Sequence, residues 1–261
     1  MAQDAWDDFL TRESVEWRPH LLWASQGGGG SGKSHFLLTA PDPIWIALFD
    51  PDDLRPLLER PEFRDKDIRW QVYDFNPGDL PVADRPAAAK AALEQFQADY
   101  ALALKHARTV GFVKEDDVWE LLRYARLDAY TERPAKYYEL NNQYRAWISA
   151  AGKAGVNLGL VRGMKEKWAL NDNGSPAGTG EFGPRGQNQV NERVEVVLHH
   201  RFDIEDREFK VRIGGPEGSD EPKLRVGENV AALIGEEFGS FGFMDLAAAL
   251  YPNLDAEEWT E

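Results

Sequence analysis

Cysteine is absent from the 261-residue chain, which excludes disulfide bonds and thiolate-ligated metal sites. Long apolar runs are missing as well, because no run approaches the roughly 20 residues that a membrane-spanning helix requires. The opening residues, MAQDAWDDFL, are acidic and lack the basic and apolar regions of a signal peptide. These absences predict a soluble protein of the cytoplasm that has no membrane partner.

Positive charge is also in short supply, and the deficit is concentrated at the two ends of the chain. The formal net charge is −15, of which residues 1–16 contribute −4 and residues 215–261 contribute −9, leaving −2 for the residues between them. Overall acidity argues against wholesale nucleic-acid binding. We therefore expect an acidic N-terminal extension over 1–16 and an acidic C-terminal extension over 215–261. These extensions are either simply solvated or, at the C-terminus, able to shield a site or engage a basic protein partner.

Strands and helices alternate along the central part of the chain, residues 17–214, which predicts an α/β domain with a mostly parallel central sheet flanked by helices. The apolar runs that predict strands begin near residues 20, 44, 68, 109 and 156. Helices are expected over about 85–107, 118–126, 137–153 and 243–250, and an antiparallel strand pair over 194–202 and 208–213. Residues 171–189 are rich in Gly, Asn and Ser, and predict a long mobile loop.

A glycine-rich stretch, GGGGSGKS, carries the strongest chemical signal in the sequence. It satisfies the pattern G-x-x-x-x-G-K-[ST] from Gly27 to Ser34. Glycines let the backbone curl so that successive N–H groups point at phosphate oxygens. Lys33 is expected to contact the β- and γ-phosphates and to serve in catalysis, while Ser34 offers its hydroxyl to Mg²⁺. The predicted nucleotide-binding residues here are Gly27, Gly28, Gly29, Gly30, Ser31, Gly32, Lys33, Ser34 and His35.

The alternative interpretation of this stretch is a flexible Gly/Ser linker, which GGGGSG also resembles. The context favours a phosphate loop, since an apolar strand precedes the stretch and a short helix follows it.

Three segments of the chain resemble phage-encoded, RecA-like AAA-family ATPases. The first, GKSHFLLTAPDPIWIALFD, is similar to the opening of these proteins, while VWELLRYARL and YYELNNQYRAWISAAGKAGVNLGLV are similar to their second half. The resemblance covers roughly residues 20–213. It implies a RecA-like P-loop NTPase core that uses ATP and Mg²⁺. It further implies action on single-stranded DNA in recombination or annealing, head-to-tail homo-oligomers and a location in the host bacterial cytoplasm.

The resemblance also indicates where the catalytic carboxylates are expected. RecA-like enzymes place a water-orienting acid just after the strand that follows the phosphate-loop helix, and this region reads FDPDD. Asp52 falls at the expected position, so it is the candidate general base, with Asp50 in support. Alternatively, this acidic cluster caps the helix that follows, DDLRPLLER.

At the position where the family pattern has a metal-binding acid, this sequence has a different residue. Relatives carry Asp after four hydrophobic residues, and the corresponding position here is Val113, followed by Lys114 and then three acids. A small shift would allow Glu115 or Asp116 to reach the metal through water, which makes Ser34 and Asp116 the candidate metal residues. Alternatively, the motif has decayed and the protein binds nucleotide with slow turnover or none.

The segment that follows the fifth predicted strand is locally basic. Arg162 stands where RecA-like proteins carry a polar residue that senses the γ-phosphate, and it is therefore a candidate nucleotide-binding residue. Lys165, Lys167 and Arg185 flank or lie in the Gly-rich loop, which contacts single-stranded DNA in RecA-like recombinases. The alternative is a surface loop with ordinary charges.

Two hypotheses for the function follow. In the first, the chain is an ATP-hydrolysing, RecA-like protein that acts on single-stranded DNA. In the second, it is a nucleotide-binding assembly or structural protein with a degenerate metal-binding motif, and its acidic tail binds a protein partner. The Val113 position and the acidic ends favour the second hypothesis. The nearly neutral central part, the Gly-rich loop flanked by Lys and Arg, and the family resemblance favour the first.

Overall fold

The computed structural model describes residues 18–127, 134–170, 175–187, 190–214 and 232–260. Its strands are β1 Leu22–Gly27, β2 Ile44–Leu48, β3 Ile68–Val72, β4 Thr109–Val113, β5 Asn157–Arg162, β6 Met164–Leu170, β7 Pro176–Pro184, β8 Val196–Asp203, β9 Glu208–Ile213 and β10 Glu237–Gly239. Its α-helices are α1 Lys33–Leu38, α2 Arg55–Leu58, α3 Arg85–His106, α4 Glu115–Arg126, α5 Pro134–Lys153 and α6 Phe243–Leu250.

Eight of these strands form one sheet in the order β10-β9-β8-β1-β5-β4-β2-β3. Every neighbouring pair from β8 through β1, β5, β4 and β2 to β3 is parallel, whereas β9 and β10 are antiparallel additions at one edge. The prediction of an α/β fold with a mostly parallel sheet is therefore confirmed, and so is the antiparallel pair that β8 forms with β9.

The central strands are buried on both faces, as parallel strands covered by helices must be. Glycines allow α1 to approach this sheet closely. A Cβ atom on Gly111 of β4 would lie 2.4 Å from Leu37, and one on Gly159 of β5 would lie 2.4 Å from Trp23 and 2.7 Å from Leu37. The close contact of Leu37 with two neighbouring strands fixes α1, and with it the loop that precedes α1.

The helices divide between the two faces of the sheet. One hydrophobic cluster contains the buried faces of α3, α4 and α5, including Phe96, Leu121 and Tyr144. The other contains α1 and α6, including Phe36 and Phe243. Among the described residues, no helix is long and apolar enough to cross a membrane.

Part of the predicted acidic C-terminal extension packs into the core. Strand β10 pairs with β9, and α6 buries one side against the sheet. Trp259 is 1% exposed, and its carbonyl oxygen accepts a 2.7 Å hydrogen bond from Nε of the buried Arg108. Residues 237–260 are thus integrated into the fold, while 1–16 and 215–231 lie outside the described residues.

Strands β6 and β7 form a separate antiparallel hairpin at the carboxyl end of β5. The predicted long loop is wrong over residues 176–184, because these residues pair with β6. Small residues make the pairing possible. A Cβ atom on Gly178 would lie 2.3 Å from the Glu166 carboxylate, and that carboxylate accepts a 3.0 Å hydrogen bond from the Gly180 N–H.

Candidate nucleotide-binding site

A cleft of about 720 Å³ opens at the carboxyl ends of β1, β4 and β5. One side is the phosphate loop between β1 and α1, residues 27–34. The opposite side, called here the acid side, is the start of α4, residues 114–117, together with Asp53; of these residues, Lys114, Asp116, Asp117 and Asp53 line the cleft. The base of the β6–β7 hairpin closes one end of the cleft through Gly163, Met164 and Arg185.

Three glycines of the phosphate loop adopt backbone conformations that other residues rarely adopt. The φ angles are 155° at Gly27, 70° at Gly30 and 92° at Gly32. A Cβ atom on Gly27 would also lie 2.2 Å from the carbonyl oxygen of His200. Gly28 and Gly29 have open space around them and no positive φ. The curled loop therefore depends on glycine at three positions, which is the backbone requirement of a phosphate cradle.

Lys33 lies over the loop that it follows. Its Nζ donates hydrogen bonds to the carbonyl oxygens of Gly27 at 2.9 Å and Gly28 at 2.5 Å, and to Ser31 Oγ at 3.3 Å. Burial lowers the pKa of Lys33 to about 8, and the negative charge of Asp116 opposes this shift. Lys33 is therefore an ammonium group at neutral pH, held in the cleft where a phosphate would enter.

Ser34 and His35 continue along the first turn of α1, and both line the cleft. His35 Nε2 lies 3.4 Å from Glu62 Oε1, and its ring packs edge-on against Phe63 at 5.1 Å. Burial lowers the pKa of His35 despite the neighbouring carboxylate. All nine residues from Gly27 to His35 that the sequence singled out line this cleft.

The acid side begins at the end of β4, where Lys114 takes a left-handed conformation with φ of 57°. This turn starts α4 immediately and brings three acids into the first helical turn, of which Asp116 and Asp117 line the cleft. Asp116 Oδ1 is buried and has no hydrogen-bond partner in the protein, and Asp116 Oδ2 lies 4.0 Å from Arg185 Nη1. Burial and the charge of Asp116 raise the pKa of Asp117 to about 6.

Glu115 does not face the cleft but is buried in an ion pair with Arg162. Arg162 Nε lies 3.1 Å from Glu115 Oε2, and both side chains have no solvent exposure. The remaining nitrogens of Arg162 donate to the carbonyl oxygens of Arg185 and Gln187 and to Asn191 Oδ1. Arg162 is not among the cleft-lining residues. Its role as a phosphate sensor stays a prediction, and in this geometry its donors are engaged within the protein.

The acidic cluster after β2 divides between two roles. The carboxylate of Asp50 accepts a 3.0 Å hydrogen bond from the Asp52 N–H and so caps the short 3₁₀ turn Pro51–Asp53. The helix that follows, α2, has Leu54 at its N-cap and no side-chain cap, so the capping alternative applies to this short turn and not to that helix. Asp50 and Asp52 are exposed and do not line the cleft, whereas Asp53 does.

Asp53 is paired with a cation of the acid side. Its Oδ2 lies 2.9 Å from Lys114 Nζ, which also lies 3.6 Å from Asp50 Oδ2. Burial raises the pKa of Asp53, and the contact with Lys114 opposes that rise. The geometry of the 3₁₀ turn determines that Asp53, and not Asp52, enters the cleft. The sequence DPDD alone does not distinguish these two residues.

The described residues contain no group of three or more His, Asp or Glu side chains arranged to hold a metal ion by themselves. Nucleotide-bound Mg²⁺ does not need such a group, because it keeps several waters and uses one or two protein oxygens besides the phosphates. Ser34 and Asp116 line one cleft, and Asp116 Oδ1 is a buried oxygen without a protein donor. A hydroxyl and a carboxylate oxygen are ligands that Mg²⁺ takes, so the residues present would fit this ion beside a bound phosphate.

The three residues predicted to bind DNA lie in two different places. Lys165 and Lys167 belong to β6, where Lys167 forms an exposed 3.5 Å ion pair with Glu181 of β7. The same hairpin exposes Trp168 and Phe182, at 66% and 58% of their surface. Arg185, in contrast, lines the cleft between the phosphate loop and the acid side.

Comparison with protein-family models and with curated proteins finds no match to this chain. The assignment of a function therefore depends on the cleft and on the fold that positions it.

Proposed function

We propose that this chain binds ATP with Mg²⁺ in the cleft and hydrolyses it, as a RecA-like P-loop ATPase that acts on single-stranded DNA in recombination or annealing. One observation carries the proposal. The phosphate loop, with Lys33 and Ser34, faces the buried and partner-free oxygen of Asp116 across one cavity.

The topology of the sheet supports a ligand at this position. Strand β1 lies between β5 and β8, and the chain leaves β1 to form β2 on the far side of β4 before returning. The connection that leaves β1 therefore runs toward the β3 edge of the sheet, whereas the strand on the other side of β1, β8, leads toward the β10 edge. Open parallel sheets bind their ligands outside the carboxyl ends of the strands where such a divergence occurs.

The cleft residues divide the chemistry among them. Backbone N–H groups of the loop and the Lys33 ammonium hold phosphate oxygens, while Ser34 and Asp116 hold Mg²⁺. The metal supplies positive charge that offsets the charge developing on the phosphate. Asp53 is the carboxylate of the DPDD cluster that lines the cleft, so it is better placed than Asp52 to orient the attacking water.

A second function, nucleotide binding without turnover, is favoured by the acid side itself. Val113 occupies the end of β4, and the Lys114 ammonium lies 2.9 Å from Asp53. Burial raises the pKa of Asp53, but the neighbouring cation favours the ionised carboxylate and opposes that rise, and it occupies an oxygen that would otherwise face a water. In this second candidate the protein assembles with a partner, which the acidic C-terminal segment, residues 215–261, would bind.

The β6–β7 hairpin supports the nucleic-acid part of the proposal. Lys165 and Lys167 lie on β6, the strand that also carries the exposed ring of Trp168. A cationic strand with an exposed aromatic ring suits backbone contacts combined with base stacking, which is how single strands are bound without sequence preference. Few cations are involved, so this contact is expected to be weak and sensitive to salt.

Phosphate release from ATP, measured with and without single-stranded DNA, tests the proposal. We expect Mg²⁺-dependent release that DNA stimulates and that Lys33→Ala lowers by roughly 100-fold or more, because the lysine stabilises charge on the phosphates. ATP binding without release would instead support the second candidate. Absence of ATP binding would contradict both.

The choice between Asp53 and Asp52 is tested in the same assay. Asp53→Asn is expected to lower turnover about tenfold or more while leaving ATP affinity within about threefold, since the group acts in the chemical step. Asp52→Asn, which changes an exposed carboxylate next in sequence, serves as the matched control. If Asp52→Asn causes the larger loss, the original assignment of Asp52 is the right one.

A further inference from the structure

Arg185 directly follows β7 and has a fixed main chain and a side chain in the nucleotide cleft. Its N–H donates to the Gly163 carbonyl oxygen at 2.8 Å, and its own carbonyl oxygen accepts from Arg162 Nη2 at 2.6 Å. The side chain lines the same cavity as Lys33 and Asp116. The backbone is thus anchored to the core, and the guanidinium is directed at the site rather than at the outer surface of the hairpin.

The guanidinium is held only loosely where it lies. Arg185 Nη1 is 4.0 Å from Asp116 Oδ2, the side chain is 56% exposed, and Nε donates to the Met164 carbonyl oxygen at 3.1 Å. A long, half-exposed ion pair contributes little to stability. Arg185 is therefore able to exchange Asp116 for a more highly charged partner without disturbing the fold.

Two other cations of the cleft have closer carboxylate partners. Lys114 Nζ lies 2.9 Å from Asp53, and Arg60 Nη1 lies 3.4 Å from Glu62. Compared with these cations, Arg185 is more weakly paired. Its partner, Asp116, is also the acid proposed to hold Mg²⁺, and engagement of that carboxylate by a metal would weaken its attraction for the guanidinium.

We propose that Arg185 contacts the terminal phosphate of a bound nucleoside triphosphate, so that the cleft selects a triphosphate over a diphosphate. This inference depends on the proposed function, because it assumes that the loop holds phosphates. Lys33 is the residue expected to contact the β- and γ-phosphates, and Arg185 lines the same cavity with its guanidinium 4.0 Å from Asp116. The planar guanidinium suits two parallel hydrogen bonds to phosphate oxygens.

Equilibrium titration calorimetry with ATPγS and with ADP, each with Mg²⁺, tests this assignment. For Arg185→Ala we expect ATPγS affinity to fall about tenfold or more, the loss of a hydrogen-bonded charge pair. ADP affinity should change by less than about threefold, because ADP lacks the group that Arg185 contacts. Arg185→Lys keeps the charge but not the planar fork, so its ATPγS affinity should lie between those of the wild-type protein and Arg185→Ala.

Arg69→Ala is the matched control, since it removes an arginine that is 74% exposed on the edge strand β3 and does not line the cleft. Both affinities should remain at the wild-type values in this variant. Equal weakening of ATPγS and ADP in Arg185→Ala, or no weakening of either, would overturn the assignment of Arg185 and leave the proposed function standing. Failure of the wild-type protein to bind either nucleotide would overturn both. Retained ADP binding by Arg185→Ala shows that the variant is folded.

Discussion

The two sides of the cleft are built by different means. On the phosphate-loop side, the geometry is set by backbone conformations within eight consecutive residues, with left-handed φ angles at Gly30 and Gly32. On the acid side, it is set by charge pairs between distant segments, such as Lys114 with Asp53 and Glu115 with Arg162. The first side depends on local glycines, and the second depends on the complete fold.

This difference determines how each side responds to substitution. Replacing a loop glycine that has open space around it, such as Gly30, changes one φ preference and leaves the core intact. A charge removed from the buried pair leaves its partner uncompensated inside the protein, which is far more costly. Substitutions in the phosphate loop should therefore mainly change ligand binding, whereas substitutions in the buried charge pair of the acid side should lower the stability of the whole protein.

The largest effect is expected at the buried pair of the acid side. Glu115→Gln leaves the Arg162 guanidinium charged and fully buried, and we expect the free energy of unfolding to fall by about 3–5 kcal/mol. Chemical denaturation measures this change. The matched control in the same helix is Glu120→Gln, which removes a partly exposed carboxylate 3.0 Å from Arg123. This control should cost about 1 kcal/mol or less, and an equal cost in both variants would show that burial of the pair is not what matters.

An intermediate effect is expected from the titration of Lys33, whose pKa burial lowers to about 8. Below that pKa the ammonium is present and attracts phosphate. Above it the free protein must first take up a proton, so ATP affinity should fall about tenfold from pH ~7.5 to pH ~9. Titration of ATP over this range measures the fall. Lys33→Arg, whose guanidinium stays charged, should bind with little pH dependence, and a flat profile in the wild-type protein would contradict the lowered pKa.

The same shift has a consequence for stability. Between the folded pKa of about 8 and the ordinary lysine pKa of 10.5, the unfolded chain binds more protons than the folded chain, so stability rises with pH over that interval. At neutral pH the buried charge of Lys33 therefore opposes folding.

The smallest effect is expected within the phosphate loop, where two neighbouring glycines form a matched pair. A Cβ atom on Gly29 or on Gly30 would meet nothing within 4 Å, but Gly30 has a φ of 70° and Gly29 does not have a positive φ. Gly30→Ala should therefore cost about 1–2 kcal/mol of unfolding free energy or of ATP affinity, while Gly29→Ala costs less than about 0.5 kcal/mol. Equal effects in the two variants would show that the left-handed conformation is not required.

Much of the fold was predictable from sequence because its elements carry strong local patterns. Strand β4 is a run of buried residues, and α6 begins and ends where its apolar spacing predicts. Strand β7 was missed because its glycines and polar residues are typical of loops. Its pairing depends on the Glu166 carboxylate that it encloses, a contact that no pattern within residues 176–184 encodes.

The candidate site follows the same division. The phosphate loop was predictable because its motif specifies backbone geometry directly. The entry of Asp53 into the cleft was not, since a single turn of backbone decides between Asp52 and Asp53. The position of Arg185 was not predictable either, because a hairpin brings it back beside Asp116 from far along the chain.

The central claim is that the phosphate loop and Asp116 form one site for Mg²⁺ and ATP. The most direct test is the affinity for ATP with and without Mg²⁺, measured for the wild-type protein and for Asp116→Asn. We predict that Mg²⁺ strengthens ATP binding to the wild-type protein about tenfold or more and that Asp116→Asn loses most of this gain. An Mg²⁺ effect that persists unchanged in Asp116→Asn, or a wild-type protein that does not bind ATP, would contradict the claim.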